Sequence, residues 1–333
     1  LNFQLSSAPR AMIAYWVHNW DPFAVQFGGG FGVRWYGLAY LAAFAASFFL
    51  YRYLAQRGFA VIPADKVGDF ITGCAVFGVL IGGRLGYVLF YDFGAFVREP
   101  LMFFRVWEGG MSAHGGILGV AVYTLWYAWR HKVNWPGLGD NLVVGAALGI
   151  FFGRLANFVN GELYGRPTGV AWAVKFPKEL YEAPVETQRE VLAAVQERFA
   201  APVGLEEVVA AVPGSAEVTV LLGQFLAPRH PSQIYEALLE GLLLFVLLWM
   251  VRIKVRVPNG VVTGLFFVGY ALTRGLAESF RFPDSGYVGF LTTGQFLSIF
   301  LLLIGAGFLL AAWRRPVYPP AWAGQGRHSV IVQ

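Results

Sequence analysis

Arg154, Asn157, Asn160 and Glu162 lie in the stretch GRLANFVNGELYG at 153–165, directly after the apolar run LGDNLVVGAALGIFF. Two further arginines interrupt apolar runs, Arg84 in GGRLGY and Arg274 in YALTRGLAESF. His114 in GGMSAHGG adds a group that accepts a proton near neutral pH. Its neighbours Gly115 and Gly116 leave room for a substrate to approach. An ionisable side chain inside hydrocarbon costs about 2.5 kcal/mol or more, so by default it marks a functional site or a pair lining a wet cavity. Guanidinium groups hold phosphate oxygens bidentately, and strongly where water is scarce. The chemistry these residues suit is recognition of an anionic phospholipid headgroup, with a base at hand.

What must position them is a set of membrane helices. The chain has 333 residues, 57% hydrophobic and only 14% charged, against about a quarter charged in ordinary soluble domains. Apolar stretches near the roughly 20 residues that cross a bilayer occur about seven times. They fall near 34–54, 67–91, 111–130, 138–160, 232–252, 259–281 and 294–313. The fold expected is an all-α polytopic membrane protein of about seven transmembrane helices.

Basic residues mark the ends of alternate spans: Arg52, Arg57 and Lys66; Arg130 and Lys132; Arg252, Lys254 and Arg256; Arg314, Arg315 and Arg327. By the positive-inside rule these ends are cytoplasmic, which puts the N-terminus outside and the C-terminus inside. The net charge of +5 is thus a matter of topology, and nucleic acid is not a partner. The opening LNFQLSSAPR reads as a leader without a cleavable signal pattern, so the first span directs insertion. The expected organisation is a leader and four spans at 1–160, an extracytoplasmic head at 161–231, three spans at 232–315 and a cytoplasmic tail at 316–333. The head contains helix-like sections at 186–199 and 204–212, and its PTGVAWAVKFP segment could form a short strand pair.

Spans two, four and six run outward, and each carries its arginine about 15 to 17 residues from its start. At 1.5 Å per residue that is roughly 24 Å into a core about 30 Å thick, so all three arginines share one level in the outer half. Tyr36, His114, Glu236 and Glu240 reach the same layer from the starts of the inward-running spans. Glu278 follows Arg274 by four residues on one helix face, and Asn157 follows Arg154 by three. The plainer alternative is that each arginine only pairs a carboxylate or snorkels outward. A cationic cavity opening toward the outer leaflet accounts better for so many polar groups at one depth. Glycines at 78, 82 and 86, and at 145, 149 and 153, fall on one face of spans two and four and suit close helix packing. The one cysteine, Cys74, lies in span two and reads as packing.

GRLANFVNGELYG resembles the signature of the prolipoprotein diacylglyceryl transferase family. RWYGLAY, GGRLGYVLFY, RVWEGGMSAHGG, RHPSQIYEALLEG and GLFFVGYALTRGLAESFR resemble family segments in the expected order, so the resemblance covers most of 33–315. It implies a bacterial inner-membrane enzyme with its active site toward the extracytoplasmic side. The implied reaction moves the diacylglyceryl group of phosphatidylglycerol to the thiol of the lipobox cysteine in a preprolipoprotein signal peptide. A thioether forms and glycerol phosphate leaves.

Carried over residue by residue, the resemblance implies that His114 matches an essential histidine and that Arg154 and Arg274 act at the phosphate. Asn157, Glu162 and Gly165 match functional positions of the signature, Tyr36 matches a tyrosine near the site, and Glu278 matches an acidic partner of the second arginine. Either His114 takes the thiol proton, or an arginine–phosphate pair does so while His114 orients. No cofactor and no metal are implied. The insert from Arg166 to Pro228 and the tail after Arg315 carry little or no family sequence.

A secondary transporter of an organic anion is the principal rival, since intramembrane arginines and Gly-interrupted helices also mark substrate pathways. Here the polar residues collect in the outer half and thin out inward, whereas alternating access needs a midplane site. A retinal-type protein would need a lysine in the last span, and Lys254 is the final lysine. HExxH, GxSxG and paired magnesium-holding aspartates are absent from the sequence.

Overall fold

The computed structural model describes residues 15–28, 31–106, 109–199, 204–282 and 286–323. The expected leader at 1–10, the end of the tail beyond 323, and Trp107 and Glu108 of the RVWEGG segment lie outside the described residues.

Strands β1 (Trp16–Val17), β2 (Phe23–Gly28) and β3 (Phe31–Arg34) precede helix α1 (Trp35–Gln56). Helix α2 (Val67–Phe90) follows. A short α3 (Phe93–Arg98) and a 3₁₀ turn (Pro100–Phe104) lead to α4 (Ala113–His131) and α5 (Trp135–Val159). Next come β4 (Val174–Lys175), α6 (Val185–Phe199), α7 (Leu205–Ala211) and α8 (Ala216–Leu222). Helix α9 (Ser232–Lys254) and α10 (Val261–Ala277) are followed by β5 (Tyr287–Val288), β6 (Leu291–Thr292) and α11 (Thr293–Arg314).

Each of the seven expected spans coincides with a helix. Five of them, α1, α2, α5, α9 and α11, are long and apolar enough to cross a bilayer. Helix α10 is apolar but shorter, and α4, with 19 residues, reaches about 28 Å. Leu118, Val122, Leu125 and Trp129 form an exposed apolar stripe down α4, as a lipid-facing helix requires. Two helices open into π turns, α2 at Cys74–Ile81 and α9 at Ala237–Leu243.

The chain packs as two compact units. One comprises residues through Leu38 with Arg154–Glu236 and Leu276–Thr293; the other comprises Ala39–Gly153, Ala237–Gly275 and the chain from Gly294 onward.

In the second unit the glycine pattern becomes close helix contact. A Cβ on Gly115 of α4 would sit 2.4 Å from the Gly82 carbonyl oxygen and 2.8 Å from the Gly86 Cα of α2, and one on Gly119 would sit 2.3 Å from the Gly78 carbonyl oxygen. Gly115 and Gly116 are both buried, and their nearest neighbours come from α2. The room they were expected to leave for a substrate is filled by that helix. Gly145 and Gly149 meet Ser47 and Ala43 of α1, whereas Gly153 has nothing within 4 Å and does not share their packing role. Cys74 is buried among Tyr51, Val67, Phe70 and Tyr127.

Arg252, which the sequence grouped with Lys254 and Arg256 as a basic helix end, is instead fully buried. Its Nε donates to Asn141 Oδ1 (2.7 Å), its Nη1 meets Asp140 Oδ2 (3.4 Å) and its Nη2 donates to the Phe59 carbonyl. Asp140 also accepts from the backbone nitrogens of Gly260 and Thr263 and from the Thr263 hydroxyl, each at 2.8 Å. One carboxylate therefore caps the amino end of α10 and neutralises the arginine, which makes burial of both tolerable.

In the first unit the head is built from α6, α7 and α8 around Leu180, Val191, Val195, Val208 and Leu222. The strand pair expected inside PTGVAWAVKFP does not form locally. Val174–Lys175 pairs in parallel with Trp16–Val17, because a 3₁₀ turn beginning at Pro177 ends the segment and leaves a distant strand as its partner. His18, one residue past β1, donates its backbone N–H to the Lys175 carbonyl (2.8 Å) and stacks on Phe176. Phe158 meets its ring edge-on, and a Cβ on Gly161 would lie 3.0 Å from its Nδ1. Burial in this nest lowers the His18 pKa to about 4, against a hydrogen bond with the Phe158 backbone that raises it, while the Lys178 charge lowers it further.

Two predictions follow from this packing. Gly115→Ala forces α4 off α2 and costs about 1–3 kcal/mol, a lower thermal midpoint in detergent, while Gly153→Ala leaves the midpoint unchanged or raised. Between pH 6.5 and about 4 the unfolded chain holds a proton that folded His18 does not, so stability falls as pH falls through that window. The loss approaches ~3 kcal/mol. Protection of the amides across β1 and β4, taken as the observed exchange rate against the intrinsic rate at each pH, should fall from pH 7 to pH 4 in the native protein and depend less on pH in His18→Phe.

Candidate active site

Helix α5 ends inside the signature stretch, and its last turns carry Arg154 and Asn157. In the first unit, Arg154 Nε lies 2.9 Å from Oε2 of Glu236, whose side chain is completely buried. Arg281 approaches the same carboxylate, with Nη1 at 3.0 Å from Oε1 and 3.4 Å from Oε2. Glu236, in the first turns of α9, thus holds two guanidiniums. It was expected as one polar group in a layer; its geometry makes it the acid that aims Arg154.

Asn157 is 4% exposed, and both hydrogens of its amide are used. Nδ2 donates to Tyr36 Oη (2.5 Å) and to Glu162 Oε1 (2.9 Å). Tyr36, at the start of α1, is thereby joined through Asn157 to the carboxylate that follows α5. Asn160 continues the helix ladder through a bond from its N–H to the Ala156 carbonyl. Its buried side-chain oxygen has no hydrogen-bond partner among the described residues.

The turn that carries Glu162 is unusual. Gly161 (φ +64°) and Leu163 (φ +57°) are both left-handed, and Leu163 tolerates this poorly for a side chain of its shape. Two fully buried side chains hold the turn: Ser232 Oγ donates to the Leu163 carbonyl (3.0 Å) and Gln233 Nε2 to the Glu162 carbonyl (2.6 Å).

Gly165 then enters a backbone knot. Its N–H donates to the His230 carbonyl (2.9 Å), and it bridges Arg281 in antiparallel register. A Cβ there would sit 2.5 Å from the Phe280 carbonyl oxygen and 2.6 Å from that of His230. Only glycine lets the three segments meet. Arg166 closes the knot with bonds to the Phe280 and Arg281 carbonyls, at 2.8 and 2.9 Å. Glu278 lies in this unit, 4% exposed.

In the second unit, Arg274 Nη1 meets Glu240 Oε1 at 3.4 Å, and Glu240 is fully buried. Glu240, one turn beyond Glu236 on α9, was expected as a polar group of the layer and not as a partner of Arg274. His114 is the second residue of α4 and is exposed. The helix start is capped by Ser112 Oγ, which accepts from the Gly115 N–H at 3.2 Å.

Arg84, expected at the headgroup, faces elsewhere. All five of its N–H donors go to carbonyl oxygens of the segment before α4: Nε to Phe103 (3.0 Å), Nη1 to Gly109 (2.5 Å) and Gly110 (3.0 Å), and Nη2 to Met102 and Arg105. It is 3% exposed and has no donor to offer a phosphate.

Arg281, Ser232, Gln233 and His18 were missed from sequence. Arg281 sits just past a span, where a basic residue is ordinary, although its place two helical turns after Arg274 was a usable hint. Ser232 and Gln233 are neutral, so nothing in their hydropathy marks them.

The chain matches the family model described as prolipoprotein diacylglyceryl transferase over residues 22–311. It is 42% identical to a phosphatidylglycerol–prolipoprotein diacylglyceryl transferase of Xylella fastidiosa, across 92% of this chain and 97% of the relative. Proteins of the same name from Rhodospirillum centenum (41% identical, 92% and 97% covered) and Bdellovibrio bacteriovorus (37% identical, 94% and 98% covered) are similar over comparable lengths. With such coverage, and with the signature residues gathered as described, this chain is a transferase of the prolipoprotein diacylglyceryl transferase family.

Proposed function

We propose that this protein transfers the diacylglyceryl group of phosphatidylglycerol to the lipobox cysteine thiol of a preprolipoprotein signal peptide. The observation that carries the reading is the end of α5, where buried Glu236 holds Arg154 one turn from Asn157 and its bonds to Tyr36 and Glu162. In the step proposed, a carbon–sulfur bond forms at the glycerol carbon and the carbon–oxygen bond to phosphate breaks. The electron pair leaves on the phosphate oxygen of glycerol phosphate, and the thiol proton passes to His114.

A thiol near pKa 8.5 is mostly protonated at neutral pH, so a base beside it raises the share of thiolate. Negative charge grows on the departing phosphate, and cations already fixed in place stabilise it without reorganising. Arg154 and Arg274 take that role; their buried acids keep them oriented in the absence of lipid. The nucleophilic sulfur belongs to the substrate, so buried Cys74 remains inert. The family is one of bacterial membrane enzymes, which supports a location in the inner membrane, and the distribution of basic helix ends orients this chemistry toward the extracytoplasmic side.

Purified protein with phosphatidylglycerol and a lipobox peptide should add one diacylglyceryl mass to the peptide, and nothing to its Cys→Ser version. A transporter would leave both masses unchanged. His114→Gln should slow the transfer by about 10²–10⁴-fold in protein that still inserts, and full activity of that variant would remove His114 as base. Arg154→Ala should cut turnover at limiting phosphatidylglycerol by about 10²–10³-fold. Unaltered turnover there would contradict its role at the phosphate.

A further inference from the structure

A guanidinium at membrane depth that has no headgroup to bind must be there for something else. We propose that Arg84 is a positioning residue for the transfer reaction: it ties Met102, Phe103 and Arg105 to Gly109 and Gly110 and so sets where α4 begins and where His114 stands. The proposal rests on the reading of His114 as the residue at the reacting thiol.

The observations all lie in one unit. Where the 3₁₀ turn Pro100–Phe104 ends, Met102, Phe103 and Arg105 present their carbonyls to Nη2 and Nε of Arg84, and that of Met102 also accepts the Arg105 N–H at 3.1 Å. Nη1 takes the carbonyls of Gly109 and Gly110. Both glycines are left-handed, at φ +87° and +78°, so the chain turns there in a way that side chains resist.

A Cβ on Gly110 would sit 2.7 Å from Arg84 Nη1 and 2.6 Å from the Tyr87 ring, which shows how closely the turn wraps the arginine. The next tie is a residue away from Arg84 on α2: Ser112 N–H donates to the Gly83 carbonyl at 2.9 Å. Ser112 then caps the helix whose second residue is His114. Arg84 and Gly83 together fix the entry to α4 at points two and more residues ahead of the histidine.

Lysine at position 84 keeps the charge but offers three donors from a single nitrogen and cannot serve five carbonyls spread over nine residues. In nanodiscs containing phosphatidylglycerol, Arg84→Lys should speed amide exchange at Met102–Arg105, Gly109 and Gly110 by about tenfold or more while exchange in α5 is unchanged. It should lower kcat by about tenfold or more and leave KM for phosphatidylglycerol within about twofold. Gly110→Ala, which disturbs the same clamp without touching a charge, should show the same split, and it serves if Arg84→Lys does not insert. In a His114→Gln background, Arg84→Lys should add no further loss of kcat.

A raised lipid KM with exchange as in the native protein would make Arg84 a headgroup ligand and overturn the proposal. So would faster exchange with native kcat, or a full additional loss in the His114→Gln background. Full activity of His114→Gln alone would instead sink the reading of the histidine, while the exchange data still judge the clamp independently.

Discussion

A guanidinium removed from water keeps its charge and must find acceptors for its donors, and that requirement organises much of this molecule. The solutions differ with the job. Arg252 is enclosed by Asp140, Asn141 and the Phe59 carbonyl, and the arrangement fastens α9 to α5 and to the start of α10. Arg84 uses carbonyl dipoles alone and organises backbone. Arg154 and Arg281 share Glu236, and Arg274 leans on Glu240. Among these, Arg154 and Arg274 are the arginines left partly exposed, and they are the two proposed above to meet the lipid phosphate.

The head unit solves a different problem, that of carrying polar backbone in close contact at the end of a membrane helix. Gly165 allows the strand-like segments at 165–166, 229–230 and 280–281 to exchange hydrogen bonds within one knot. Ser232 and Gln233 hold the preceding left-handed turn from the amino end of α9. A signature that looks, on paper, like a set of ligands is thus also a folding device. Asn157 and Glu162 are neighbours because the chain between them is bent and held, and the bending residues are as necessary as the polar ones.

The helices were legible because an apolar run near 20 residues has few alternatives in a membrane, and each expected span coincides with a helix. The candidate residues at 153–165 were legible for the complementary reason, since charge in an apolar setting is costly and therefore conspicuous. That same signal misleads at Arg84, where the cost is met by carbonyls that hydropathy does not register, and it is silent at Arg252 and Arg281, where a basic residue at a helix end looks ordinary. Spacing rules compare residues on one helix, so they are silent about the Arg274–Glu240 pair, which joins two helices and is a tertiary fact. Gly115 shows the limit for small residues, because sequence cannot say whether missing bulk is left open or filled by a neighbouring backbone.

The π turns of α9 begin at Ala237, directly after Glu236, and include Glu240. A π turn holds one residue more than the α turn it replaces, so excising a single residue from Ala237–Leu243 would let that stretch close as an α-helix with its two ends in place. Excising one from an α-helical turn elsewhere in α9 would instead swing one end of the helix round by about 100°. One residue of slack is therefore stored beside Glu236, and a change of length is tolerated there that the rest of the helix would not absorb.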